Sequence, residues 1–362
     1  MLELAVMAKQ KVLIGMSGGV DSSVSALLLL EQGYEVVGAF MKNWSDGDDG
    51  VECSWRSERR DAMRVAAQIG IDLHTFDFEE EYRTHVYEYM LREYEAGRTP
   101  NPDVLCNKYM KFGFLMREAE KLGCGFVATG HYARTRRDAD GTVHLLAGVD
   151  VNKDQSYFLC QLGQDQLQKA LFPIGELEKS EVREIARKAG LATAEKKDSQ
   201  GICFVGKVEL HEFLRERLPE REGNIVTVDG KIIGTHKGHM YYTIGQRTGL
   251  GIGGGTPYFV VERKAETNEL IVAPADHDES LYRTELTAVE VTKTVAGGLE
   301  LMIQKPIQAR IRYRQELQEC FIEKLENGRA LVRFTNPQRA IAPGQFIAFY
   351  NGDELLGSGV IE

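Results

Sequence analysis

Residues 11–30 read KVLIGMSGGVDSSVSALLLL. Lys11–Met16 is a short apolar run suited to a buried strand. A Gly/Ser cluster follows, and a helical pattern begins at once, over Asp21–Gln32. Strand, tight turn and helix in that order make an anion-binding site. Glycines let the backbone close around a ligand without a Cβ clash. The first N–H groups of the helix and its positive end then face the anion. Ser17, Ser22 and Ser23 add hydroxyls. Two familiar phosphate motifs are excluded. The lysine of the P-loop is missing, and so is G-x-G-x-x-G with an acidic residue after the second strand. Asp21 is placed to cap the helix or to help hold a metal. The plain alternative is a Gly-rich turn without a ligand.

Working outward, the first ~200 residues alternate short apolar runs with amphipathic stretches, the pattern of a doubly wound parallel-sheet α/β domain. Strands are expected at Lys11–Met16, Glu35–Met41, Asp72–Phe76 and Gly125–Thr129. Helices are expected at Asp21–Gln32, Ser57–Ile69, Glu80–Glu95, Lys108–Leu122 and Lys179–Ala189, the last with Ser180 as N-cap and Gly190 past its end. Two connections, Asn43–Arg56 and Gly97–Cys106, are long enough to suggest function. After Val208 the character changes to short strands, with Asp229-Gly230 as a hairpin turn. From about Tyr282 a second all-β stretch with regular turns suggests a small barrel. The expected domains are residues 1–215, a central β-rich domain 216–280 and a C-terminal β-barrel 281–362.

The chain of 362 residues carries a net charge of −10, which disfavours an indiscriminate nucleic-acid binder. The deficit is uneven: residues 281–362 hold ten Lys/Arg and ten Asp/Glu, so it lies entirely before them. A basic strip, QARIRYRQ, places Arg310, Arg312 and Arg314 around Tyr313. Guanidinium groups suit phosphates and Tyr can stack on a base; a solvated strand face is the alternative. No apolar stretch is long enough to span a bilayer. The opening MLELAVMAKQ lacks the features of a signal peptide. A cytoplasmic protein is expected.

Six cysteines, at 53, 106, 124, 160, 203 and 320, are scattered and form no C-x-x-C. That argues against a disulfide framework, a zinc ribbon or an iron–sulfur sulfurtransferase. Cys106 lies directly before the expected helix with Lys108 and Lys111. Cys203 lies in a Gly-bounded loop after Lys196 and Lys197. A helix N-terminus and nearby lysines favour the reactive thiolate; two small packing residues are the alternative reading.

The string SGGVDS resembles the signature of the PP-loop, or N-type, ATP pyrophosphatases. That resemblance implies cleavage of ATP between its α- and β-phosphates. Together with TPNPDVLCN (99–107), ATGHYAR (128–134), DQSYFL (154–159), DSQGICF (198–204) and TIGQRTGLGI (243–252), it makes the chain similar to the bacterial tRNA-specific 2-thiouridylases along nearly its whole length. The resemblance implies that sulfur replaces oxygen at carbon 2 of the wobble uridine, in tRNAs for Lys, Glu and Gln, after AMP activates that oxygen. It implies ATP phosphates on Gly15, Met16, Ser17, Gly18, Gly19, Val20, Asp21 and Ser22, adenine against Met41, and Gly130 completing the pocket. Asn101, Pro102 and Asp103 would surround the target base, with Asp103 as general acid/base. Cys203 would carry a persulfide from a sulfur-relay protein, and Cys106 would be the second catalytic thiol. Lys153, Asp154, Gln155, Arg312 and Tyr313 would contact tRNA. Mg2+ is expected with ATP, and no tightly bound metal or cluster. The competing functions are an amidotransferase synthetase, a tRNA lysidine synthetase and a non-catalytic nucleotide-binding RNA adaptor. Neither of the first two needs a cysteine pair.

Overall fold

The run at Lys11–Gly15 forms β1, which pairs in parallel with β2 (Glu35–Lys42) on one side and with β4 (Phe126–Ala128) on the other. The computed structural model describes residues 9–45, 54–197, 210–253 and 256–362. Between these strands lie α1 (Val20–Glu31), α2 (Ser54–Ile69) and β3 (Leu73–Asp77), and then α3 (Glu79–Tyr82), a π-helical stretch Arg83–Tyr87 and α4 (Glu88–Glu95). Next come α5 (Pro102–Leu105), a π-helix Cys106–Phe114 and α6 (Leu115–Lys121). After β4 follow the hairpin strands β5 (Ala133–Arg137) and β6 (Val143–Ala147), then α7 (Gln164–Leu167), β7 (Ala170–Leu171) and α8 (Lys179–Lys188).

The five-stranded sheet runs β3-β2-β1-β4-β7, all parallel. Val12, Leu13 and Ile14 have no solvent exposure. A strand covered on both faces reads as a continuous apolar run, which is why β1 does not alternate. One face packs Val12, Ile14 and Phe40 against Val24 of α1, Val65 of α2 and Ala186 of α8. Strand order reverses at β1, so the crevice beyond its carboxyl end is the topological switch point where such sheets bind ligands. The Gly/Ser turn sits there.

Three local expectations change. The helix expected from Lys108 begins at Pro102, so Cys106 lies inside it rather than before it. Proline fits a first helical position because its missing N–H has no partner there anyway. The cap of α8 is Glu178, not Ser180: the Glu178 N–H donates to the Glu181 carboxylate at 2.8 Å in a capping box. Gly190 does end that helix, with φ +64. The hairpin β5–β6 and the two-residue β7 had no sequence signal.

The chain divides into two compact units. The first holds residues 1–83, 103–206 and 353–355; the second holds 84–102, 207–352 and 356–362. Within the second, α9 (Leu210–Arg217) precedes β8 (Gly223–Thr227), β9 (Ile232–His236), β10 (Tyr258–Lys264) and β11 (Glu269–Pro274), a sheet of order β10-β11-β8-β9. Gly230, at φ +88, makes the β8–β9 turn. Six further strands, β12 (Tyr282–Lys293), β13 (Pro306–Arg310), β14 (Gln318–Glu326), β15 (Arg329–Arg339), β16 (Phe346–Asn351) and β17 (Glu354–Ile361), form a barrel closed by β12 against β17. Its core holds Ile322, Val332, Phe334, Ile347 and Phe349. Among the described residues, no helix is long and apolar enough to cross a membrane.

Candidate active site

The turn at Ser17–Ser23 is held by its own side chains. The Ser17 N–H donates to Ser22 Oγ at 3.2 Å, and the Ser22 and Ser23 hydroxyls donate to the Gly19 carbonyl at 3.2 and 2.7 Å. Gly18 has φ +72, and a Cβ there would lie 2.3 Å from the Glu58 carbonyl oxygen. Only glycine fits that position. Gly19 is the N-cap of α1 and has no side chain to bond the first N–H groups. Those donors, which no helix satisfies internally, are left for a ligand. Gly130 closes the other side: a Cβ there would be 2.7 Å from the Ser22 nitrogen.

Asp21 neither caps the helix nor stands ready for a metal. Its carboxylate accepts from Lys179 Nζ at 2.7 and 2.9 Å and from the Tyr132 hydroxyl at 2.8 Å. Lys196 Nζ donates to the Gly18 carbonyl at 2.9 Å and pairs with Asp61 at 2.7 Å. Two lysines from distant sequence therefore flank the turn that lacks its own. Burial holds the Glu58 carboxyl above the usual range, against the pull of Lys196. Among the described residues no group of three His, Cys, Asp or Glu could hold a metal ion. These donors suit an anion, and the turn's residues fit a polyphosphate. Met41, at the end of β2, is 6% exposed. Two residues on, Asn43 is 1% exposed and, among the described residues, neither its amide nitrogen nor its oxygen has a partner. A buried amide with both a donor and an acceptor to spare matches the edge of a purine base.

Beside Gly130, His131 is buried and its pKa lies well below the usual histidine value, through burial first and the Lys111 charge second. The ring is therefore neutral. Lys111 Nζ, 3.5 Å from Nε2, can only donate. The proton is then on Nδ1, which donates to Thr129 Oγ1 at 2.7 Å.

Cys106 opens the π-helix and is fully buried. Asp103 lies three residues earlier, in α5, a spacing that puts the two on one helix face. The wide turns of a π-helix lose ordinary i→i+4 partners. Gln166 makes up the loss, donating to the carbonyls of Lys108 at 3.0 Å and Phe112 at 2.8 Å. Asn107 donates to the Phe158 carbonyl at 3.0 Å, and Lys108 Nζ to Gln161 Oε1 at 2.9 Å. Cys106, Cys124, Cys160 and Cys320 are buried thiols. Burial pushes Cys124 up, and Cys320 up to about 12, as expected of packing residues. Cys203 lies outside the described residues, as do Cys53 and the acidic loop Asp46–Cys53.

The family described as tRNA methyl transferase HUP domain matches residues 10–207; a tRNA methyl transferase PRC-barrel domain matches 211–274 and an aminomethyltransferase beta-barrel domain 287–361. Proteins named tRNA-specific 2-thiouridylase MnmA from Enterococcus faecalis, Streptococcus thermophilus and Streptococcus mutans are each 52% identical to this chain, over 98% of it and 96% of their own length. The chain belongs to the tRNA-specific 2-thiouridylase family. A 4-thiouridine synthetase–RNA complex with bound ATP is 18% identical, covering 57% of this chain and 50% of its own at a TM-score of 0.37, too remote to bear on function.

In this thiouridylase the residues expected at tRNA fall in two places. In the first unit, Lys153 is half-buried at a turn whose geometry Asp154 sets: the Asp154 carboxylate is 4% exposed and accepts from the N–H groups of Gly148 and Ser156 at 3.1 and 3.0 Å. Gln155 Oε1 accepts from the Tyr132 N–H at 3.0 Å. In the second unit, Arg312 and Tyr313 lie in the turn after β13, not on a strand face. Gln315 braces that turn by accepting from the Ile311 N–H at 2.9 Å. Arg312 is exposed, and the Arg314 guanidinium stacks 5.2 Å from the Tyr313 ring centre. Sequence reasoning missed Lys179, Tyr132 and Asn43. Tyr132 stood within the ATGHYAR string and Asn43 beside Met41, whereas Lys179 read only as the start of a helix.

Proposed function

We propose that this chain replaces the oxygen at carbon 2 of the wobble uridine of tRNA by sulfur, using ATP. The observation that carries the reading is the 52% identity to 2-thiouridylases across 98% of the chain. The turn supports the ATP half: Gly18–Ser22 hold the pyrophosphate, Lys179 and Lys196 supply the positive charge that a P-loop lysine would, and Asn43 and Met41 meet the adenine. Mg2+ would enter with ATP and would neutralise phosphate charge beside Ser17 and Ser22. AMP on the uridine oxygen makes a poor leaving group a good one. Asn101, Pro102 and Asp103 hold the base, and Asp103 exchanges its proton. Lys, Glu and Gln tRNAs are the acceptors.

Sulfur arrives as a persulfide on Cys203, loaded by a sulfur-relay protein. Attack on carbon 2 expels AMP. Cys106 then breaks the sulfur–sulfur bond, and a Cys106–Cys203 disulfide remains for an external thiol to reduce. Incubation with ATP, magnesium, a persulfide donor and unmodified tRNA should yield AMP, pyrophosphate and 2-thiouridine; ADP and orthophosphate as primary products would refute it. Cys203→Ser should adenylate tRNA without a protein-bound persulfide. Cys106→Ser should load sulfur and stall. Full thiolation by Cys106→Ser, read by nucleoside mass spectrometry, would reverse the assignment.

A further inference from the structure

Arg263 is a buried guanidinium with no carboxylate bonded to it among the described residues. It lies on β10, 8% exposed, in the second unit. A β-bulge between Val260 and Glu262 shifts the strand's register. In an unbroken strand Glu262 would share the inward phase of Val260. The bulge turns Glu262 to solvent and Arg263 inward. Its Nη1 donates to the Tyr242 carbonyl at 2.7 Å and its Nη2 to Thr99 Oγ1 at 2.6 Å, while Nε has no partner among the described residues. Burial lowers the guanidinium to about 10, so it remains charged at neutral pH. Burying a cation without a counter-ion is costly. A fold that needed only packing here would place an aliphatic residue at 263.

Thr99 is where the guanidinium does something a hydrocarbon cannot. The Thr99 N–H donates to the Pro343 carbonyl at 2.7 Å. Gln345 Nε2 donates to the carbonyls of Thr99 and Pro100, at 2.9 and 3.1 Å. Gly344 has φ +89, and a Cβ there would crowd the Thr99 nitrogen at 2.9 Å. The segment is thus held at its hydroxyl by the central sheet and at its backbone by the loop before β16. Asn101 and Pro102 follow within three residues, and Pro102 opens the helix that carries Asp103 and leads to Cys106.

We propose that Arg263 is a positioning residue: through Thr99, and together with Gln345, it sets the backbone of residues 97–102 so that Asn101–Asp103 meet the target uridine. This rests on the reading that Asn101–Asp103 hold the base. An error of about 1 Å in placing a reacting group costs on the order of a hundredfold in rate. The test uses the full-length protein. Thr99→Val keeps the shape and removes the acceptor; Thr99→Ser keeps the acceptor and removes a methyl. Arg263→Lys keeps a donor and charge; Arg263→Met keeps only bulk. Thr99→Val and Arg263→Met should lower kcat for tRNA-dependent AMP release by roughly ten- to a hundredfold. KM for ATP and the Kd for tRNA should stay within about twofold. Thr99→Ser and Arg263→Lys should recover most of kcat, an outcome that a merely structural role would not produce if all four variants melt alike. Should Arg263→Met fail to fold, the Thr99 pair decides alone. Wild-type kcat in Thr99→Val, or a loss seen only in the Kd for tRNA, overturns the proposal. Full activity of Asn101→Ala and Asp103→Ala would instead overturn the reading of the base-holding loop, whatever Thr99→Val does.

Discussion

Residues 15–23 and residues 97–102 both carry backbone that the proposed function sets against a substrate, and they are held differently. In the first, the innermost bonds of Ser17, Ser22 and Ser23 reach no more than five residues, with Thr193, Lys196 and Lys179 added from distant sequence. In the second, Thr99 and Pro100 are held by Arg263, 164 residues on from Thr99, and by Gln345, up to 246 residues on. A phosphate site must be rigid before its ligand arrives, because its N–H groups are useful only if already aimed. A base-holding loop gains from being tied to the domains that grip the rest of a large substrate. The first arrangement leans mostly on its own segment; the second depends on distant ones.

The sharpest way to break this contrast is Gly18→Ala. A positive φ with a side chain costs roughly 1–3 kcal/mol, and the new Cβ would strike the Glu58 carbonyl. ATP cleavage should fall at least about a hundredfold. Gly33→Ala is the control: Gly33 has φ +88 at the far end of α1 but nothing within 4 Å. It should lower the melting temperature slightly and leave kcat alone. Lys179→Met tests whether the turn is as self-sufficient as its hydrogen bonds suggest. A charged hydrogen bond is worth roughly 1.5–3 kcal/mol, so kcat/KM for ATP should drop about tenfold or more, with tRNA affinity unchanged.

Acid should act on stability through His131 and His236, both lowered chiefly by burial. Their folded pKa values lie below the unfolded value of about 6.5. Their contribution is intact above that pH and is lost below it, where the unfolded chain takes up protons that the folded chain refuses. Each such histidine costs about 1.4 kcal/mol per pH unit in that window. Melting followed from pH 7.5 to 5.5 should show the fall, and His131→Asn should flatten it. The smallest effect belongs to the barrel turn. Arg312→Ala should weaken tRNA binding evenly and reduce its salt slope by about one. An equal loss of ATP affinity would show that the turn does more than dock RNA.

What could be read from the sequence follows the same division. β1, the turn and α1 were legible because the apolar run, the glycines and the serine bonds that mark them are close in sequence. The start of the Cys106 helix was not: Pro102 reads as a loop residue unless it is known to occupy a first helical position. Ser180 was mistaken for a cap because a serine before an apolar pattern is the usual signal. The helix is instead capped two residues earlier, where the Glu181 carboxylate accepts from the Glu178 N–H. The barrel was legible from its alternation, but the place of Arg312 and Tyr313 on a turn depended on where β13 stops. Lys179, Lys196 and Arg263 carried no local signal, since each acts on a residue more than a hundred positions away.

The π-helix at Cys106–Phe114 also bears on how this gene can change. A π turn accommodates one residue more than an α turn, and each residue of an α-helix turns the axis by about 100°. Deleting a single codon between 107 and 113, a stretch that kinks at Phe112, would therefore shorten the coil by one residue, with α6 still seated by Leu115 and Ala119, both buried. The Gln166 bonds to the coil would be disturbed, and those of Asn107 to Phe158 and of Lys108 to Gln161 would be turned away with the rotated segment. Yet Cys106 and Asp103 would be swung about 100° round the axis. An in-frame deletion here would thus aim thiol and carboxylate away from where the proposed function needs them, so in this coil the length of the chain, as well as the identity of its residues, is what selection must hold constant.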